Sequence, residues 1–81
     1  MQTFFVTLSS IPDVKRFVDA ATGCACEIDV LSGRYVIDAK SIMGLFSLDL
    51  QKPVQVEFHG TDEECAAFQA QIASSVITPG K

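Results

Sequence analysis

Ala39-Lys40-Ser41-Ile42-Met43-Gly44-Leu45-Phe46-Ser47-Leu48 is the stretch on which the reading turns. A serine stands where a short helix begins, and its side-chain oxygen can accept from a first-turn backbone N–H that has no helical partner. Large apolar residues then follow almost without a polar break. One short helix buries only two or three of Ile42, Met43, Leu45, Phe46 and Leu48. The remainder, with Met43 and Phe46 foremost, should form an exposed apolar patch of the kind that marks a partner site. Gly44 costs the helix about 1 kcal/mol relative to alanine, which fits a position that another surface approaches closely.

Outward from this segment the chain reads as alternating elements. Upstream, Cys24, Cys26, Ile28 and Val30 alternate with Ala25, Glu27, Asp29 and Leu31, the period of a half-buried strand. Ser32-Gly33 reads as a two-residue hairpin loop leading into Arg34-Tyr35-Val36-Ile37-Asp38, with Val30 opposite Tyr35 and Ile28 opposite Ile37. Near the N-terminus, Phe4, Val6 and Leu8 share one face of a strand that stops before Ser9-Ser10-Ile11-Pro12. Pro12 suits the first turn of a helix whose apolar stripe is Val14, Phe17, Val18 and Ala21. Thr22-Gly23 ends it, with glycine expected in a left-handed turn.

Downstream, Gln51-Lys52-Pro53 closes the Ser41 helix, and Val54, Val56 and Phe58 alternate with Gln55, Glu57 and His59 up to Gly60. Thr61 and Glu64 have the spacing of a capping box. The last helix should bury Cys65, Phe68 and Ile72, and residues 74–81 read as a loose tail of a single domain spanning 1–81. The order is β-α-β-β-α-β-α. With one apolar face per strand and one apolar stripe per longer helix, the economical arrangement is α+β, two layers, helices on one side of an antiparallel sheet. Thr3, Thr7, Glu27, Asp29, Gln55, Glu57 and His59 would line the wet side.

Composition narrows the partners. Eighty-one residues, 48% apolar and 20% charged, make one small folded domain. The net charge of −4, with six scattered basic residues, offers no positive stripe for nucleic acid. No apolar run reaches the roughly 18–20 residues of a membrane span, and no leader-like pattern opens the chain, so a cytoplasmic protein is expected. Cys24, Cys26 and Cys65 are odd in number and form no disulfide framework. Core packing is their expected role, because a metal set would need a fourth ligand and His59 is the single histidine. No metal and no cofactor are therefore expected.

Lys40-Ser41-Ile42-Met43-Gly44, supported by Arg16-Phe17-Val18, Cys26-Glu27-Ile28 and Ser47-Leu48, resembles HPr, the histidine-containing phosphocarrier of the bacterial sugar phosphotransferase system. The resemblance runs from Gln2 to about Ala73. It implies an open-faced β-sandwich of four strands in spatial order 1-4-2-3 under three helices. It also implies a phosphoryl-carrying histidine before the first helix, in a motif Gly-Leu-His-x-Arg-Pro-Ala. Aligning Arg16-Phe17-Val18 without a gap puts Ser10 at the histidine position and Pro12 at the arginine position, and Ser9-Ser10-Ile11-Pro12-Asp13-Val14 keeps no part of that motif. Serine lacks the high-energy N–P bond of a relay, Asp13 would repel an incoming phosphoryl group, and Ser10 is expected instead to cap the helix.

Ser41 occupies the position that, in HPr proteins of low-GC Gram-positive bacteria, a dedicated kinase phosphorylates for carbon-catabolite control. Phosphate there would meet free helix N–H groups and the positive charge of Lys40. The resulting expectation is a non-enzymatic HPr-like protein with no catalytic set. It would dock protein partners through Lys40, Ile42, Met43, Gly44, Leu45 and Phe46 and be modulated at Ser41. By resemblance the partner would be an HPr-type kinase, a transcriptional regulator or a metabolic enzyme. Two alternatives stand beside it: a working carrier with a displaced acceptor, Ser10 or His59, and a redox or metal module built on Cys24, Cys26 and Cys65.

Overall fold

The computed structural model describes residues 2–77; Met1 and residues 78–81 lie outside the description. The elements are β1 (Gln2–Val6), α1 (Ile11–Thr22), β2 (Ile28–Ser32), β3 (Tyr35–Asp38), α2 (Ile42–Phe46), β4 (Val54–Phe58), α3 (Asp62–Gln71) and β5 (Val76–Ile77). All strand pairings are antiparallel, in the order β3-β2-β4-β1-β5.

Period-two patterning sorts the sheet into two faces. The row Phe4–Val56–Val30–Ile37 runs across β1, β4, β2 and β3 on the covered face. The neighbouring row, Thr3–Glu57–Asp29–Asp38, points the other way. Helices cover the first face only: Val14, Phe17, Ala20 and Ala21 from α1, Leu45 from α2, and Cys65 and Phe68 from α3 join one core with Val6, Val30, Val54, Val56 and Phe58. Phe68 is its hub, with ring centroids 5.5 Å from Phe58, 5.6 Å from Phe17 and 6.3 Å from Phe4.

The helix starts follow the expected chemistry. Ser10 Oγ accepts from Asp13 N–H at 3.3 Å. Thr61 and Glu64 form both halves of the capping box, at 2.9 and 3.1 Å. Gly60 must be glycine, because a Cβ there would stand 2.6 Å from Phe58 Cε1 and 2.9 Å from the Glu64 Oε1 that completes the box.

Several expectations are corrected. The sheet has five strands, not four: the run β1-β4-β2-β3 is extended by β5 on the β1 edge. Residues 74–77 are consequently no loose tail. The backbone turns at Ser75, whose carbonyl accepts from Thr7 N–H at 2.8 Å, and Val76 and Ile77 then pair with Val6 and Phe5. The remainder of the expected tail, 78–81, falls outside the described residues.

The hairpin loop is Gly33-Arg34 rather than Ser32-Gly33, with Ser32 opposite Tyr35 and Val30 opposite Ile37. Glycine thereby takes the first loop position with φ +58°, the sign a type II′ turn needs there. This two-residue slip preserves every side chain's face, which is why the apolar pattern tolerated either register.

Strand β2 begins at Ile28, not Cys24. Cys24 N–H and Sγ bond back to Ala21 and Ala20 carbonyls at 3.0 and 3.5 Å, which holds the chain at the end of α1. Gly23 is right-handed (φ −75°, ψ −8°), so α1 ends without the expected left-handed turn.

Candidate functional site

The Ser41 segment is set by the end of β3. Asp38 accepts twice: its carbonyl takes Ser41 N–H and its Oδ1 takes Lys40 N–H, both at 2.9 Å. This turn brings Ser41 to the N-cap of α2 in extended conformation (φ −100°, ψ 96°). Ser41 Oγ accepts from Gly44 N–H at 3.2 Å and its carbonyl from Leu45 N–H at 3.1 Å. Ser47 closes the helix, its Oγ donating to Gly44 O at 2.6 Å. The hydroxyl of Ser41 caps the helix while the residue stays exposed.

A helix of five residues presents two sides, and the apolar residues divide between them. Leu45 is wholly buried, and Ile42 packs half-buried against the core with Leu48 and Leu50. Met43 and Phe46, three residues apart, point outward and are 79% and 45% exposed. Burying a side chain of this size contributes about 1.5–3 kcal/mol. Leaving two of them wet is a sizeable loss for a domain whose whole stability is on the order of 5–15 kcal/mol.

Three expected contact residues are reassigned by their surroundings. Leu45 has no surface to offer a partner. The Lys40 ammonium is engaged by the Cys24 carbonyl at 3.0 Å, tying the start of α2 to the segment after α1. Gly44 is close to the protein itself: a Cβ there would lie 2.7 Å from Ile37 Cγ2 and 3.0 Å from Ser41 Oγ. Ile37 Cγ2 sits on a branched carbon and cannot swing away. Gly44→Ala is therefore expected to lose about 1–2 kcal/mol, overpacking outweighing the gain in helix propensity. Chemical denaturation checks this; a stabilised variant would contradict the packing.

The alternative acceptors are placed differently. Ser10 is committed to capping α1, and Asp13 lies beside it, paired with Arg16 at 3.4 Å. An open groove of about 640 Å³ runs beside this helix start, lined by Ile11, Pro12, Lys15, Arg16 and Gln71 among others. His59 is on the face opposite the helices, its Nε2 3.1 Å from Asp29 Oδ2 and 3.9 Å from Glu57 Oε1. Sequence reasoning missed that grouping, although the pairing of β2 with β4 puts Glu57 opposite Asp29, and His59 is two residues on.

The cysteines are free, Cys65 buried and Cys24 and Cys26 half-buried. Among the described residues they form no close metal-ligand grouping. Burial pushes the Cys24 and Cys65 thiols above the ordinary range, with Cys26 and Asp62 respectively the next contributors. The thiol form is poorly nucleophilic, which weighs against a redox centre. The folded state holds these protons more tightly than the unfolded chain. Stability is thus intact below the ordinary thiol pKa and declines as pH rises through the raised values. Urea midpoints should fall in the alkaline range, and less steeply in Cys65→Ala; equal slopes would contradict the effect.

An open antiparallel sheet, helices on one face and a serine-capped short helix between β3 and β4 define the class of open-faced α+β sandwiches. Within that class, residues 14–76 match the family model described as the PTS HPr component phosphorylation site, and the chain belongs to the HPr family. The chain is also similar to the crystal structure of HPr-C-His from Thermoanaerobacter tengcongensis, with 25% identity, a TM-score of 0.73, and 91% of this chain and 93% of that one covered. No curated protein matches the sequence. HPr proteins are phosphocarriers that work with other proteins of the phosphotransferase system. The matched residues begin at Val14, after Ser10 and Pro12. Among the described residues no helix is long and apolar enough to cross a membrane.

Proposed function

We propose that this chain is an HPr-family protein that no longer relays phosphate through histidine and acts by docking a protein partner on the outer side of α2. Exposure of Met43 and Phe46 on a helix held rigidly by Asp38 and Ser41 is the observation that carries the reading. The contact surface is Ile42, Met43 and Phe46, with Ser41 at its rim; Lys40, Gly44 and Leu45 hold it in place from behind. An apolar centre with a polar edge is the ordinary build of a reversible protein interface.

Two features support the loss of relay. An ungapped alignment on Arg16-Phe17-Val18 puts the family's histidine position at Ser10, whose oxygen is occupied as a helix cap. The single histidine, His59, is flanked by carboxylates that would repel a phosphoryl donor. Modulation of docking at Ser41 follows from its position. The residue is exposed, and a phosphate on Oγ would place about two negative charges beside the apolar contact and replace the Gly44 cap. The partners in this reading are an HPr-type serine kinase and the regulator or metabolic enzyme that reads its product.

Incubation with an HPr-type kinase and ATP, followed by intact-mass measurement, tests the switch. One added phosphate on the parent protein and none on Ser41→Ala is the expected result. An unmodified parent protein would remove Ser41 as a control point.

A further inference from the structure

The helix-free face carries a second constellation unrelated to α2. Asp29 and Glu57 are opposite one another in the β2–β4 ladder, and His59 follows Glu57 on the same face. The backbone at His59 is fixed by its N–H bond to Glu27 O at 3.0 Å. One Asp oxygen, one Glu oxygen and one imidazole nitrogen lie within 4.8 Å of one another.

From this arrangement we propose that Asp29, Glu57 and His59 form a binding site for a divalent transition-metal ion of the zinc, cobalt or nickel type. Ligands about 2.0–2.2 Å from a tetrahedral ion stand about 3.4 Å apart. The Nε2–Oδ2 separation of 3.1 Å is already of that size, and the 3.9 Å to Glu57 Oε1 closes by rotation of a flexible side chain. As the ion takes the Nε2 lone pair, any proton on that nitrogen passes to solvent.

Ligand chemistry selects the ion. One imidazole with two carboxylates suits zinc and its neighbours, whereas calcium and magnesium prefer oxygen alone. Charge draws it in: Glu27 stands across the ladder from His59, and Asp38 extends the row beyond Asp29, so carboxylates outnumber the imidazole on this face. All three donor side chains keep about a quarter to a third or more of their surface in solvent, which leaves the ion's remaining positions to water or to a partner's ligand. Two adjacent strands hold the donors, so binding cross-links β2 to β4 and stabilises the fold without touching the Ser41 surface.

Calorimetric titration of metal-free, reduced protein with Zn2+ tests the proposal, together with His59→Gln and Asp29→Asn. The parent protein should bind one ion and show a raised thermal midpoint in its presence, and each variant should lose more than about tenfold in affinity. Co2+ added to the parent should give a visible ligand-field spectrum free of thiolate charge-transfer absorption. Binding unchanged in His59→Gln, an intense thiolate band, or no binding below millimolar Zn2+ would each overturn the site.

Discussion

Replacing Phe68 with alanine is expected to destabilise the fold by about 3–5 kcal/mol, the largest loss of any single side chain. Phe68 has no exposed surface, and it is the ring through which α3 meets Phe17 of α1, Phe4 of β1 and Phe58 of β4. Its removal takes away the transfer free energy of a large apolar side chain and three aromatic contacts of about 0.5–1.5 kcal/mol each, part of which relaxation recovers. The void would lie where both long helices rest on the sheet, and neither can collapse inward without breaking its other contacts. With a total on the order of 5–15 kcal/mol, such a loss removes about a fifth of it at the least and nearly all of it at the lower end. Urea denaturation of Phe68→Ala beside the parent protein measures this; a loss below about 1 kcal/mol would mean the helices do not share one core.

The second large effect concerns binding. Met43→Ser combined with Phe46→Ser should reduce the specificity constant for phosphorylation of Ser41 by an HPr-type kinase by about thirtyfold or more, as loss of a central apolar anchor of about 2 kcal/mol implies. Stability should move by only about 1 kcal/mol, because Met43 packs against little and Phe46 is half exposed. Serine adds no charge beside the phosphorylated hydroxyl, so the effect reports lost apolar contact. Unchanged kinase efficiency at unchanged stability would show that the outer side of α2 is not what the partner reads.

Much of the architecture was legible because its signals are local. The α1 stripe, the Thr61–Glu64 box and the alternation of Val54, Val56 and Phe58 each lie within a few residues, and the structure places all of them as the pattern implied. Strand β5 was not legible: Val76 and Ile77 are too few for a period, and their partner lies at the far end of the chain. The hairpin register failed for a different reason. Apolar alternation fixes which face a residue occupies but is indifferent to a two-residue slip, and only the positive φ of Gly33 decides the loop.

The site divides in the same way. Helical spacing put Met43 and Phe46 on one outward side, since residues three apart share a side, but it left Leu45 among the expected contacts until its burial in the core removed it. It could not show that Gly44 answers to Ile37 or Lys40 to the Cys24 carbonyl, because both are tertiary contacts. Asp29 and His59 likewise meet only through the β2–β4 ladder, which no short window contains.

Loss of the histidine relay is the central claim, and phosphoenolpyruvate with the general phosphotransferase enzyme tests it most directly. Intact mass measured at neutral pH after incubation should be that of the unmodified chain. A gain of one acid-labile phosphate would contradict the account.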